Sequence, residues 1–100
     1  MSTTTVDTTW TTPQVSKHLE LAGFPGKLKR GLRCQITAVV NRRDQFSDAP
    51  SAAVRAGLQA QINDGCDRLS QTLSAMTKEN WTPERVETAC GRVLERLKRN

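Results

Sequence analysis

Residues 50–78, PSAAVRAGLQAQINDGCDRLSQTLSAMTK, carry the strongest helical pattern of the chain. Apolar side chains recur there every three or four residues over about seven turns, the spacing of one face of an α-helix. Gly57 and Gly65 interrupt the pattern, and each costs roughly 1 kcal/mol relative to alanine, so either is a candidate for a bend or a close helix crossing. We predict a long third helix with one apolar seam: Val54, Leu58, Ile62, Cys66, Leu69, Leu73 and Met76.

A short first helix is predicted over residues 13–22. Thr12 is a suitable N-cap, and Pro13 suits the first helical position, where no backbone hydrogen bond is lost. Gly23 suits the left-handed position that often follows a helix. Residues 1–9 contain five threonines and little apolar surface, so we expect them to form a flexible tail.

A second helix is predicted over residues 27–46. The β-branched stretch at 36–40 favours a strand locally, but the four-residue apolar rhythm of the whole segment favours a helix. The polar residues 44–50 predict a loop that ends in a proline. Ser47 or Asp48 is the expected N-cap of the next helix.

Start signals around Thr82 predict a fourth helix that runs to the end of the chain. Thr82 is the expected N-cap, Pro83 suits the first position, and Glu84 suits the positive end of the helix dipole. Trp81 is placed to pack on Val86 as a hydrophobic staple. The apolar side chains of this helix are predicted to face inward: Val86, Ala89, Cys90, Val93, Leu94 and Leu97.

Four amphipathic helices joined by short loops predict an all-α fold, a compact antiparallel bundle with the third helix the longest. Residues 10–100 are expected to form this single helical domain. A chain of 100 residues with 36% hydrophobic residues builds only a lean core. A homodimer is therefore expected, because it would bury the seam of the third helix. The residues expected at its interface are Val54, Leu58, Ile62, Leu69 and Leu73.

Three cysteines, Cys34, Cys66 and Cys90, lie far apart in the sequence and lack the spacing of zinc ligands. Their odd number favours free thiols in a reducing compartment, and we expect all three to be small buried residues. No apolar run is long enough to span a bilayer, and the N-terminus shows no signal pattern. The expectation is a cytoplasmic protein without a membrane partner.

Enzymatic activity is not expected from this sequence. No phosphate-binding glycine loop, zinc-protease motif or nucleophile elbow occurs, so no cofactor, metal ion or small-molecule substrate is expected. His18 is the only histidine, and a pair with Cys34 would lack a third, orienting group. The acidic pairs at i, i+3 spacing are typical of solvated helix faces.

Positive charge is concentrated in two segments of a chain whose net charge is +5. This excess favours an acidic or polyanionic partner, although a solvated helix face is the ordinary explanation of a charge run. The segment 27–43 contains six cations and no acid: Lys27, Lys29, Arg30, Arg33, Arg42 and Arg43. The fourth helix adds Arg92, Arg96 and Arg99 to the candidate partner-binding residues.

Two functions remain open at this point. The first is a protein-interaction module, such as an inhibitor, adaptor or regulatory protein, that binds through a helix face. The second is a DNA-binding regulator, because a short capped helix, a glycine-containing turn and a basic helix follow one another as in a helix-turn-helix.

Residues 10–19 resemble the opening helix of phage-type excisionase and repressor DNA-binding domains. This resemblance implies duplex DNA as the partner. The turn at 23–26 contains a proline, and the second helix is longer than a typical recognition helix. We therefore place protein interaction first.

Overall fold

Four α-helices make up the fold between residues 10 and 99, the part of the chain that the computed structural model describes. The expected tail at residues 1–9 lies outside the described residues. No strand occurs between residues 10 and 99, so the all-α prediction is confirmed, with the third helix the longest. The helices are α1 (Thr12–Ser16), α2 (Arg30–Ser47), α3 (Ala52–Thr77) and α4 (Pro83–Arg99).

One apolar core holds the helices together. α2 packs along α3, and α4 contacts both of them, while α1 lies against α2 and α4. All six α4 residues predicted to face inward are buried. Trp81 is also buried and stacks on Phe24, with ring centroids 5.7 Å apart. Burial of this apolar surface supplies the main driving force for folding.

Side-chain caps explain where α3 and α4 begin. Thr82 is the N-cap of α4 as predicted, since its hydroxyl accepts the Arg85 N–H at 3.1 Å. Ser51 caps α3 by accepting the N–H three residues later at 3.2 Å. The predicted caps Ser47 and Asp48 are wrong, because α2 continues through Ser47 and Asp48 directly follows it.

α1 is shorter than the predicted helix at residues 13–22. Its N-cap is Thr11 rather than Thr12. The Thr11 hydroxyl accepts the backbone N–H of Gln14, and the Gln14 side chain accepts the backbone N–H of Thr11. This capping box satisfies two donors at once, which the sequence signal at Thr12 does not offer.

Residues 17–23 form a series of turns instead of continuing α1. Gly23 has φ +108° and takes the left-handed position predicted for it. The Phe24 N–H donates to the Leu19 carbonyl at 3.0 Å, and the Gly23 N–H donates to the Glu20 carbonyl at 3.1 Å. This pair of hydrogen bonds is the Schellman motif, which turns the chain toward Trp81.

α2 starts at Arg30, three residues later than predicted. Residues 24–29 remain outside the helix because Phe24 is buried in the core and Leu28 packs partly against it. Lys29 is the N-cap and has an extended backbone. Lys27 therefore lies in the loop and does not share a helical row with Arg30.

The apolar seam of α3 divides into a buried centre and two exposed ends. Ile62, Leu69 and Leu73 are at most 2% exposed, so they are unavailable to a second copy of the chain. The prediction of a dimer interface along the whole seam is wrong at these positions, because the chain's own helices cover them. Val54 is 45% exposed and Met76 is 43% exposed, while Leu58 is half-buried.

The two glycines of α3 differ in their surroundings. A Cβ on Gly65 would lie 2.7 Å from Cγ2 of Val39 in the middle of α2, so Gly65 permits a close helix crossing. A Cβ on Gly57 would meet nothing within 4 Å. The crossing predicted for one of these glycines is confirmed at Gly65.

None of the helices between residues 10 and 99 combines the length and apolar character required of a membrane span.

Candidate partner-binding groove

Arg43, near the C-terminal end of α2, is bound to α4. Its Nη1 donates to Oε2 of Glu87 at 2.8 Å. The guanidinium also lies across Gly91, where an added Cβ would be 3.3 Å from Arg43 Nη2. Arg43 therefore stabilises the α2–α4 contact, and its charge is already neutralised by an acid of the same chain.

Asp44 makes the second connection at this end of α2. It is 7% exposed, and its carboxylate pairs with Lys98 Nζ at 3.2 Å and accepts the Trp10 indole N–H at 3.1 Å. Asn41 accepts the backbone N–H of Trp10 at 2.7 Å and donates to its carbonyl at 2.9 Å. We name Trp10, Arg43, Asp44, Glu87 and Lys98 the closed end. All of these hydrogen bonds of Trp10 go to α2.

The predicted cations of α4 do not join those at the start of α2 in one shared cluster. Arg96 donates from Nε to Nδ1 of His18 at 3.3 Å. Arg92 Nη1 lies 3.8 Å from the position that a Cβ on Gly23 would take. Arg99 is exposed in the last turn of α4. These side chains lie on α4 and face the turns that follow α1, or solvent.

Arg42, also predicted as a partner-binding residue, lies apart from the closed end. It lines a small cleft of about 260 Å³ between α2 and α3, together with Asp64 and Arg68. Asp64 and Arg68 form an exposed pair at 3.2 Å. The six cations of the basic segment are therefore distributed over at least two different surfaces.

A groove of about 890 Å³ lies at the opposite, N-terminal end of α2. Leu19 and Leu28 contribute to its apolar lining, and Leu21 and Met76 border it with exposures of 68% and 43%. A second hollow of about 790 Å³ adjoins it along α2 and α3 and shares Lys29 and Met76 with it. We name the two hollows together the α2 groove.

The charge of the α2 groove is strongly positive. Lys17, Lys27, Lys29 and Arg33 line it together with a single carboxylate, that of Glu20. None of these cations has a salt-bridge partner among the residues that the structure describes. Arg33 is half-buried, and its Nε is enclosed without a hydrogen-bond partner in the same part of the chain. Within residues 10–99, no salt bridge neutralises these charges.

The first turn of α2 adds to this positive potential. Its N-cap, Lys29, makes no side-chain capping hydrogen bond, and no acid lies in the first turn. The first N–H groups of a helix have no partner within the helix and carry the positive end of its dipole. α1, α3 and α4, in contrast, each begin with a hydroxyl that accepts such an N–H.

The groove residues that were not predicted as site residues include Lys17, Leu21 and Met76. Met76 was assigned to the buried seam of α3 because it keeps the helical spacing. Leu21 does offer a signal in the sequence, since the apolar stripe predicted for the first helix consists of Val15, Leu19 and Ala22 and leaves Leu21 outside it. Of the predicted site residues, the groove brings together Lys27, Lys29 and Arg33, and Arg30 is exposed beside them at the start of α2.

The cysteines provide no reactive cluster in this groove. All three are free, as predicted, but Cys34 is exposed, contrary to the expectation that all are buried. Burial raises the pKa of the Cys66 thiol to about 11 and also raises the pKa of Cys90. The Glu87 carboxylate acts in the same direction on both. Cys66 and Cys90 therefore remain protonated at neutral pH.

Comparison with known proteins identifies no relative: no protein family, curated protein or solved structure matches the chain. Between residues 10 and 99, no three His, Cys, Asp or Glu side chains are grouped closely enough to hold a metal ion. The α2 groove is therefore the candidate site on the strength of its shape, apolar lining and charge.

Proposed function

We propose that this protein is a protein-interaction module, acting as a small inhibitor, adaptor or regulatory protein, and that it holds an apolar segment of a partner in the α2 groove. The observation that carries the proposal is the exposure of Leu21 and Met76 on the border of a groove with an apolar lining. Exposed apolar side chains that cluster around a concave surface are typical of interaction sites.

The groove is suited to an amphipathic helix or a short extended segment. α2 and α3 border the smaller hollow, residues 16–29 supply most of the lining of the larger one, and Leu19 and Leu28 connect that lining to the core. Helices along one side of the groove reduce the entropic cost of ordering that part of the binding surface. Apolar anchors spaced along one face of a partner segment would bury the exposed parts of Leu21 and Met76.

Selection from a displayed library of random peptides, with the whole chain as the target, tests the proposal. We expect enriched peptides with apolar anchors, and we expect Leu21→Asp and Met76→Asp each to weaken their binding by about tenfold or more. Both side chains are largely exposed, so the circular dichroism spectrum and the urea midpoint should change little.

Val54→Asp is the matched control. Val54 is 45% exposed, like Met76, but it lies in the first turn of α3 and does not line the groove. Its variant should bind the selected peptides as the unmodified chain does. Peptides that bind equally well to all three variants would exclude the α2 groove as the docking site.

DNA binding is the second candidate function. Lys27 and Lys29 are exposed just before α2, and Arg30 is exposed at its first position. A titration of mixed-sequence duplex DNA at about 50 and about 200 mM salt tests this possibility, because each phosphate-contacting cation adds about one to the salt slope. Absence of binding at the lower salt would exclude it. Protein docking ranks first because phosphate contacts leave the exposed Leu21 and Met76 without a role.

A further inference from the structure

We propose that the partner segment held in the α2 groove is acidic, and that its carboxylates bind at the end of the groove where α2 begins, beside Lys27, Lys29 and Arg33. This inference rests on the proposed function and specifies the chemistry of the partner. It requires a segment that combines apolar anchors with Asp or Glu side chains.

The grouping of four unpaired cations around one groove supports an acidic partner, since other cations without a salt bridge between residues 10 and 99, such as Arg42 and Arg55, do not line it. Where cations are paired in this protein, the chain itself supplies the acid, as Glu87 does for Arg43 and Asp44 does for Lys98. The groove cations have no such acid in the described part of the chain. Like charges held close together repel one another, and carboxylates from a partner would turn this repulsion into attraction.

Arg33 adds to the argument because it is the least solvated of these cations. Its side chain lines the groove and is half-buried, and its Nε, like that of Arg43, has no acceptor among residues 10–99. A partly desolvated guanidinium interacts more strongly with an anion than a fully hydrated ammonium does. A carboxylate near Arg33 would therefore gain more than one beside an exposed lysine.

Two further features set the position of the acidic groups. The positive end of the α2 dipole and its uncapped first turn lie beside Lys29, and they add to the attraction that the cations exert. Glu20 lies on the other side, with Oε2 placed 2.9 Å from where a Cβ on Gly26 would be. Its carboxylate repels a second acid, which favours the α2 side of the groove.

The apolar lining decides between an acidic peptide and a nucleic acid. A duplex would satisfy Lys27 and Lys29 with phosphates but would leave Leu21 and Met76 in water. An acidic amphipathic segment covers both kinds of surface at once. The observations therefore favour the peptide, and duplex DNA becomes an outcome of the test.

The experiment uses the peptides selected against the whole chain. We expect the enriched sequences to be rich in Asp and Glu. Two peptides are then titrated: the tightest-binding selected peptide, and its amide version, in which every Asp and Glu is changed to Asn or Gln. Each is titrated against the unmodified chain and against the double variant Lys27→Gln, Lys29→Gln. The double variant Arg55→Gln, Arg99→Gln is the control, because it removes two exposed charges that do not line the groove.

The acidic peptide should bind the Lys27→Gln, Lys29→Gln variant about threefold to tenfold more weakly, as expected for two exposed ion pairs, and the control variant should lose much less. The amide version should be weaker from the start and insensitive to the same substitutions, which isolates the pairwise interaction. Added salt should weaken the acidic peptide more than the amide version.

The possible failures are distinguishable. One outcome would overturn this inference and leave the proposed function intact. In that outcome, binding of the selected peptides depends on Leu21 and Met76, the peptides show no excess of acids, and they bind the Lys27→Gln, Lys29→Gln variant at full strength. Peptides that do not depend on Leu21 or Met76 would overturn both. A third outcome would overturn the inference in favour of nucleic acid. In it, the chain binds duplex DNA but no peptide, and DNA binding is lost in the Lys27→Gln, Lys29→Gln variant and kept in Leu21→Asp.

Discussion

The two ends of α2 carry cations of the same kind but use them differently. At the closed end, Arg43 is bound to Glu87, and Asp44 joins Lys98 to the Trp10 indole. At the groove end, no described acid forms a salt bridge with the lysines and arginine that line the surface. A cation paired with an acid of its own chain stabilises a contact between helices, whereas the groove cations have no such pair between residues 10 and 99.

The closed end should lose the most stability when its acid is removed. Asp44→Ala would leave the Trp10 indole N–H without an acceptor and Lys98 without its pair, at a cost of about 2 to 3 kcal/mol in the free energy of unfolding. Urea unfolding measures this loss. Asp64→Ala removes an acid from the exposed pair with Arg68, and it should change stability by less than about 0.5 kcal/mol. Equal losses in the two variants would contradict the distinction.

Gly65 tests the helix crossing that lies between the two ends of α2. An alanine Cβ at this position would press on buried Val39, and the overpacking cost of about 1 to 3 kcal/mol should exceed the helix-propensity gain of about 1 kcal/mol. We expect Gly65→Ala to lower the unfolding free energy by about 1 kcal/mol in urea. Gly57→Ala meets no neighbour and should raise it by about 0.5 to 1 kcal/mol. A gain at both glycines would contradict the close crossing.

Lys29→Asp separates stability from binding at the groove end. It supplies α2 with a capping carboxylate, so the unfolding free energy should rise by about 0.5 to 1 kcal/mol. The same substitution should weaken the acidic peptide by about tenfold, because a cation is replaced by an anion. Ser51→Asp exchanges one good cap for another at α3 and should change neither quantity. A variant less stable than the unmodified chain would show that Lys29 has a structural role.

The cysteines extend the comparison to pH. Burial raises the pKa of Cys66 from 9.0 to about 11 and also raises that of Cys90, so the folded chain keeps thiol protons that the unfolded chain loses. Stability from these thiols is complete below about pH 9 and declines as the pH rises toward 11. Urea midpoints at pH 8 and pH 10 measure the decline. A decline of the same size in a Cys66→Ala, Cys90→Ala variant would assign it to other groups.

Local signals explain the parts of the fold that were predicted well. Thr82, Pro83 and the apolar spacing of α4 depend on neighbours within one or two turns, and the structure places them as expected. The start of α1 moved by one residue because the Thr11 and Gln14 side chains bond to each other's backbone. Its end moved because residues 17–23 turn to bring Phe24 against Trp81, a contact between segments far apart in sequence.

The candidate site was predictable only in part. Charge density identified Lys27, Lys29 and Arg33 without any structure, because six cations without an acid form a visible pattern. The same pattern also included Arg43, whose pairing with Glu87 links positions 44 residues apart. Met76 kept the spacing of a core residue, and its exposure follows from the packing at the end of α3.

By itself, the sequence determined four helices, the order in which they follow and the faces that they bury, since apolar periodicity and capping act over a few residues. The tertiary structure decided which cations are neutralised and which border the groove. It also decided that Ile62, Leu69 and Leu73 belong to the core of one chain. The physical reason is that ion pairing and burial depend on which helix faces which, and local spacing does not contain that information.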